Sequence, residues 1–160
     1  MSTWTAHTTV AAEPCAVLGV LTDPEAIRSW SPIDFELDEL DGDRLYEGAT
    51  ARVSGRLARL GASFDVEVEA AHAARFALVA SGPVDLEVDY ELFPDGEHTD
   101  VWVSLGVRPA GGLSGRLIAQ ATEALLRAGA LDRALGRIAQ EFEITNDQER
   151  THDVEQVPVV

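Results

Sequence analysis

Residues 113–142 read LSGRLIAQATEALLRAGALDRALGRIAQEF, and their spacing decides the architecture. Leu117, Ala121, Ala124, Ala128, Leu131, Leu135, Ile138 and Phe142 step alternately by four and three, drawing one apolar stripe along an α-helix. Ile118, Leu125 and Ala139 widen that face, while Arg116, Glu123, Arg127, Asp132, Arg133, Arg137 and Glu141 take most of the other sides. The breaker run Pro109-Ala110-Gly111-Gly112 comes before it and no proline interrupts it. The pattern predicts one continuous helix of about 45 Å at ~1.5 Å per residue. So long an amphipathic element needs a broad apolar partner. Ala121, Ala124 and Ala128 leave volume that larger side chains would fill, so the first half is expected to roof a cavity. Leu135, Ile138 and Phe142 are expected to seal a core.

The partner lies upstream. Val84, Leu86, Val88, Tyr90 and Leu92 alternate with Asp85, Glu87, Asp89 and Glu91, the period of a strand with one apolar and one charged face. Pro94-Asp95-Gly96 turns the chain, and Val101, Val103, Leu105 and Val107 answer. Phe35–Leu40, Tyr46–Leu60, Phe64–Ala70 and Arg75–Ser81 repeat the theme, with Asp41-Gly42-Asp43 read as a hairpin turn, Gly61 as another, and Gly82-Pro83 closing the last. Thr3–Val10 reads as a first strand. Pro14–Leu21 and Pro24–Trp30 read as two short helices, each with proline in its first turn and the second capped by Asp23. The class is α+β: a curved antiparallel sheet of about seven strands, two short helices, and a long C-terminal helix over the concave face. One domain over residues 1–143 is expected, followed by a flexible polar tail over 144–160 that ends Val157-Pro158-Val159-Val160.

Composition removes several classes of function. Acidic residues number 28 against 12 basic, a net charge of −16 that repels phosphate backbones, so no nucleic-acid partner is expected. Every basic residue is Arg, and the Ala-rich, Lys-free usage suits a GC-rich genome such as an actinomycete's. No run of eighteen apolar residues exists, so no membrane insertion is expected. The first seven residues lack a basic, apolar leader, and the single Cys15 permits no internal disulfide. Both point to the cytoplasm. His7, His72, His98 and His152 show no metal-ligand spacing, so neither metal nor cofactor is expected. His7 could act as a general base if it faced inward, and Cys15 reads as a buried, inert thiol.

The wording around the short helices, Val10-Ala11-Ala12-Glu13-Pro14, then Thr22-Asp23-Pro24-Glu25-Ala26-Ile27 and Trp30-Ser31-Pro32, resembles the opening of the SRPBCC (START-like) superfamily. Tyr46-Glu47-Gly48, Phe93-Pro94-Asp95-Gly96 with Thr99, and Val107-Arg108-Pro109 are similar to it as well, so the likeness spans about residues 3–142. The resemblance implies the helix-grip fold and a cavity between sheet and last helix that takes one apolar, aromatic or polyketide-like molecule. Strand parity nominates the walls: Val53, Gly55, Leu57, Phe64, Val66, Val68, Phe76, Leu78, Leu86, Val88, Tyr90, Val101, Val103 and Leu105. Leu117, Ala121 and Leu125 join them from the helix, and Trp30 stands where the family places the cavity entrance.

Three functions fit that resemblance. The first is a non-catalytic binder in specialised metabolism, including self-resistance by capture of an enediyne with cleavage at a glycine such as Gly55. The second is a polyketide cyclase/aromatase, for which Thr50, Arg52, Ser81 and Tyr90 are the nearest polar candidates. Only Tyr90 shares the inward parity, so the catalytic set is incomplete. The third is a lipid or quinone carrier. Trp102 falls on the outward parity, where a surface contact or weak self-association would use it, and a monomer or weak dimer is expected.

Overall fold

The computed structural model describes residues 2–31, 34–40, 42–57 and 60–155, with the side chains of 57 and 144–155 excepted. Seven strands form one antiparallel sheet: β1 (Ser2–Val10), β2 (Phe35–Leu40), β3 (Thr50–Leu57), β4 (Leu60–His72), β5 (Arg75–Ser81), β6 (Val84–Asp95) and β7 (His98–Pro109). Their order is β1-β7-β6-β5-β4-β3-β2, a meander whose only non-sequential neighbours are β1 and β7. Register shifts at Leu37/Glu39 and Val68/Ala70 mark bulges, which bend the strands that carry them. Helices α1 (Pro14–Thr22) and α2 (Pro24–Trp30) hinge at Asp23, whose carboxylate accepts from the Glu25 N–H. Pro32, read as the stop of α2, lies outside the described residues.

Two turns differ from the sequence reading. The tight hairpin read at Asp41-Gly42-Asp43, of which Asp41 lies outside the described residues, gives way to a longer connection between β2, ending at Leu40, and β3, starting at Thr50. It is tied down at its far end, where Leu45 N–H donates to Thr22 O and Gly48 N–H to Val68 O. Gly61 sits inside β4 paired with Arg56, so the β3–β4 turn falls before it.

The larger correction concerns the C-terminal helix, which is two helices. α3 (Gly112–Arg127) and α4 (Ala130–Glu155) are separated at Ala128-Gly129. Gly129 has φ +91°, a left-handed conformation that only glycine adopts cheaply. The Ala128 and Gly129 N–H groups close α3 on Ala124 and Leu126, and Arg133 N–H opens α4 on the Gly129 carbonyl. The break re-phases the stripe. On α3 the buried positions are Gly115, Ile118, Ala119, Thr122 and Leu126, while Ala124 is exposed and Leu117 is 45 % exposed. On α4, Leu135 and Ile138 of the stripe are buried and Leu131 and Phe142 half-buried, with Ala134, outside the stripe, buried beside them. α4 runs on to Glu155, so residues 144–155 of the expected tail lie in helical backbone; 156–160 lie outside the described residues.

Two cores result. The larger gathers Val17, Leu21, Trp30, Phe76, Tyr90, Val101, Val103, Leu135 and Ile138, where α1, α2 and α4 meet one end of the sheet. The smaller gathers Ala62, Val84, Ile118 and Ala119 beneath α3. Gly115 lets α3 press onto the β5–β6 turn, since a Cβ there would stand 2.7 Å from the Pro83 carbonyl oxygen.

Candidate functional site

The concave face can be read row by row from the strand register. One row runs Phe76–Tyr90–Val103–Ala6 across β5, β6, β7 and β1, and every member is buried. The next runs Leu78–Val88–Leu105–Trp4, and every member is only half-buried. In the third, Ala80 and Val107 are buried again, while Leu86 between them is half-buried. Phe64, Val66, Val53 and Gly55 continue the partly accessible strip across β4 and β3.

A central strand whose apolar side chains are covered at both ends and accessible in the middle is not a simple packed core. The strip falls between the two cores: Leu78 and Val88 border the larger, while Phe64, Leu86, Ala121 and Leu125 border the smaller. It is an apolar seam that the helices cover only in part.

The residues nominated from sequence therefore divide. Val53, Gly55, Phe64, Val66, Leu78, Leu86, Val88 and Leu105 lie along the seam, with Ala121 and Leu125 beside it on α3. Val68, Phe76, Val101 and Val103 belong to the closed core. Leu117 points off the buried ridge of α3, for the reason the Gly129 break supplies. The side chain of Leu57 lies outside the described residues.

Trp30 and Tyr90 join the lid helices to the seam. The Trp30 ring meets Tyr90 edge-on at 6.4 Å, and its indole N–H donates to the Val20 carbonyl at 3.2 Å. Tyr90 also packs on Phe76, at 6.2 Å between centroids. Burial alone pushes its phenol well above the ordinary tyrosine value, with no charge or hydrogen bond contributing. Tyr90 is thus a neutral O–H donor at the edge of an apolar space.

The other polar candidates face away. Arg52 and Asp65 are paired on the convex side, Nε to Oδ1 at 3.1 Å, and the Asp65 hydrogen bond keeps the guanidinium firmly protonated. Ser81 is the strand partner of Asp65, and Thr50 that of Glu67, on the same side. A depression of about 650 Å³ on that face is lined by Thr50, Arg52, Asp65, Glu67, Val79 and Ser81. Glu39 lines it too, so one arginine, already paired with Asp65, stands against three carboxylates there.

His7 is not an inward base. It stacks on Trp102 with centroids 4.4 Å apart on the convex face, Trp102 being 47 % exposed. Cys15 is exposed on α1 rather than buried. Among the described residues no group of three or more potential ligands could hold a metal ion.

Sequence reading passes over Trp4, Ala119 and Thr122 and gives Thr99 no structural role, while it counts Ile118 as part of the apolar face. Thr99 is fully buried and donates to the Ala12 carbonyl at 2.7 Å, tying β7 to the start of α1. Trp4 shares the parity of Ala6 and Val10, a signal masked by the threonines of β1.

Comparison with known proteins places this geometry. Many solved structures share the fold, and three represent them. The ZhuI aromatase/cyclase from Streptomyces sp. R1128 is 20 % identical with a TM-score of 0.66, covering 89 % of this chain and 93 % of that one. A START superfamily protein from Mycobacterium smegmatis is 20 % identical with a TM-score of 0.61, covering 86 % and 97 %. DynU16, a protein in the dynemicin biosynthetic locus, is 24 % identical with a TM-score of 0.57; the match takes 89 % of this chain but 48 % of that longer one. No curated protein sequence matches. Residues 1–143 match the family described as polyketide cyclase / dehydrase and lipid transport, and the chain belongs to that START-like, helix-grip family.

Proposed function

We propose that the protein binds one hydrophobic, aromatic or polyketide-like molecule in the seam between the concave face and the C-terminal helices. One observation carries this reading: Leu78, Val88 and Leu105 are half-buried in mid-sheet while the rows beside them are largely closed. An apolar floor flanked by two cores binds by excluding water from a ligand of matching width. The binder works without a cofactor, as a monomer or weak dimer in the cytoplasm of an antibiotic-producing host. Titration with a panel of polycyclic aromatic ligands, followed by amide shifts at Leu78, Val88 and Leu105, tests it. Saturable shifts confined to those strands support the assignment; none across the panel overturns it.

Two finer readings have support of their own. Capture of a reactive product such as an enediyne, with the chain cut at glycine, is favoured by Gly55 on the seam and by the likeness to a dynemicin-locus protein. An intact chain mass after exposure to an activated enediyne removes it. Catalysis of polyketide cyclisation is favoured by the neutral Tyr90 hydroxyl, which could polarise a ligand carbonyl. An unchanged product distribution with Tyr90→Phe removes that one. A lipid or quinone carrier differs from these in the ligand alone, and the same panel separates it.

A further inference from the structure

The inner faces of β4 to β7 and of β1 carry no charged side chain, and the hydroxyls that look inward are mostly committed. Thr22 donates to the Leu18 carbonyl, Thr99 to Ala12 and Thr122 to Ile118. Trp30 is satisfied at Val20. One indole differs. The Trp4 Nε1–H is buried from water and has no hydrogen-bond partner, the sole such side-chain atom among the described residues.

Its position gives that donor meaning. Trp4 stands opposite Leu105 in the register, so it ends the half-buried row Leu78–Val88–Leu105 at the β1 side of the seam. A buried donor left without an acceptor is costly, and a chain retains one only where something offsets it. Phenylalanine would fill the same apolar row without the penalty.

Resting on the reading of the seam as the binding site, we infer that Trp4 is a specificity residue whose indole N–H donates to a ketone- or quinone-type oxygen of the ligand. Because the N–H has no exposed surface in the free protein, this role requires the ring to turn about χ2, a soft torsion, as the ligand enters. Tyr90 lies one row on and two strands away, about 12 Å between Cα positions at standard sheet spacings. The two donors thus bracket the seam and favour a flat molecule with acceptors towards both ends. Carboxylic acids are disfavoured, because among the described residues of β1 and β4 to β7 no cation faces inward to neutralise them.

The test compares 9,10-anthraquinone with anthracene, which share their ring skeleton but differ in two carbonyl oxygens. With the full chain, anthraquinone binds at least about tenfold tighter, and Trp4→Phe brings the ratio of the two affinities, both measured on the variant, most of the way to one. Among the three indole N–H resonances, that of Trp4 moves downfield with anthraquinone and stays with anthracene. This spectrum of the unmutated protein decides the matter even if Trp4→Phe folds poorly. Equal affinity for the two compounds, or an unmoved Trp4 resonance on anthraquinone binding, overturns the role of Trp4 and leaves the seam intact. Binding of neither compound overturns both.

Discussion

Tyr90 sets a pH limit on the molecule. Its phenol ionises at a higher pH in the folded chain than in the unfolded one, because burial withholds solvation from the phenolate. Above about pH 10 the unfolded chain therefore loses a proton that the native state keeps. Stability falls there by up to ~1.4 kcal/mol per pH unit from this group. Urea midpoints measured from pH 8 to 11 should decline more steeply for the native sequence than for Tyr90→Phe; parallel curves would refute the assignment. Two glycines give a second residue-scale prediction, with opposite signs. Gly136 has open space where a Cβ would go, so Gly136→Ala gains helix propensity, about 0.5–1 kcal/mol. At Gly115 the same methyl meets the Pro83 carbonyl oxygen at 2.7 Å, and overpacking of ~1–3 kcal/mol outweighs that gain. Thermal unfolding of the pair checks the contrast.

At the scale of elements, the break at Gly129 governs where the gripping face points. Replacing Gly129, at φ +91°, by alanine imposes left-handed strain of about 1–2 kcal/mol or drives α3 and α4 towards one continuous helix. Either way, Gly129→Ala lowers the denaturation midpoint; an unchanged midpoint would show that the junction tolerates both conformations. This junction was illegible in sequence, since Ala128-Gly129-Ala130 is small and apolar and sits inside an unbroken stripe. Two local hydrogen bonds and one glycine dihedral end α3, and neither leaves a periodic trace. The strands were legible because their period is two and their outer faces are charged, as in Val84–Asp95. Parity gave the face of each residue but not its depth. Val88 and Val103 are both inward by parity, yet only Val103 is closed over, because coverage depends on which rows the helices reach. Trp4 was missed, and the structural role of Thr99 with it, for a related reason: their importance comes from contacts between distant parts of the chain, β1 with β7 and Thr99 with Ala12.

For the molecule as a whole, charge is the dominant long-range term. A net charge of −16 on 160 residues repels itself, and the ion pairs Arg52–Asp65 and Arg75–Asp89 are exposed or nearly so, relieving it little. Raising sodium chloride from 10 mM to 500 mM should therefore raise the thermal midpoint by a few degrees through screening. A fall in midpoint would mean that the local pairs outweigh the global repulsion. The same field works against anionic ligands, consistent with a neutral guest over strands β1 and β4 to β7, whose inner faces carry no charge.

The β1–β7 ladder has one more consequence, for the order in which the molecule is made. Ser2 pairs with Val107 and Val10 with Thr99, so β1 has no strand partner until nearly the whole sheet has been synthesised. The meander from β2 to β7 can zip through neighbouring hairpins as it leaves the ribosome, each closing a short loop. β1 must wait, its backbone unpaired, and then dock across the longest loop in the fold, a late and slow step. Because β1 carries Trp4, the wall of the seam that tells one guest from another is also the last to be built.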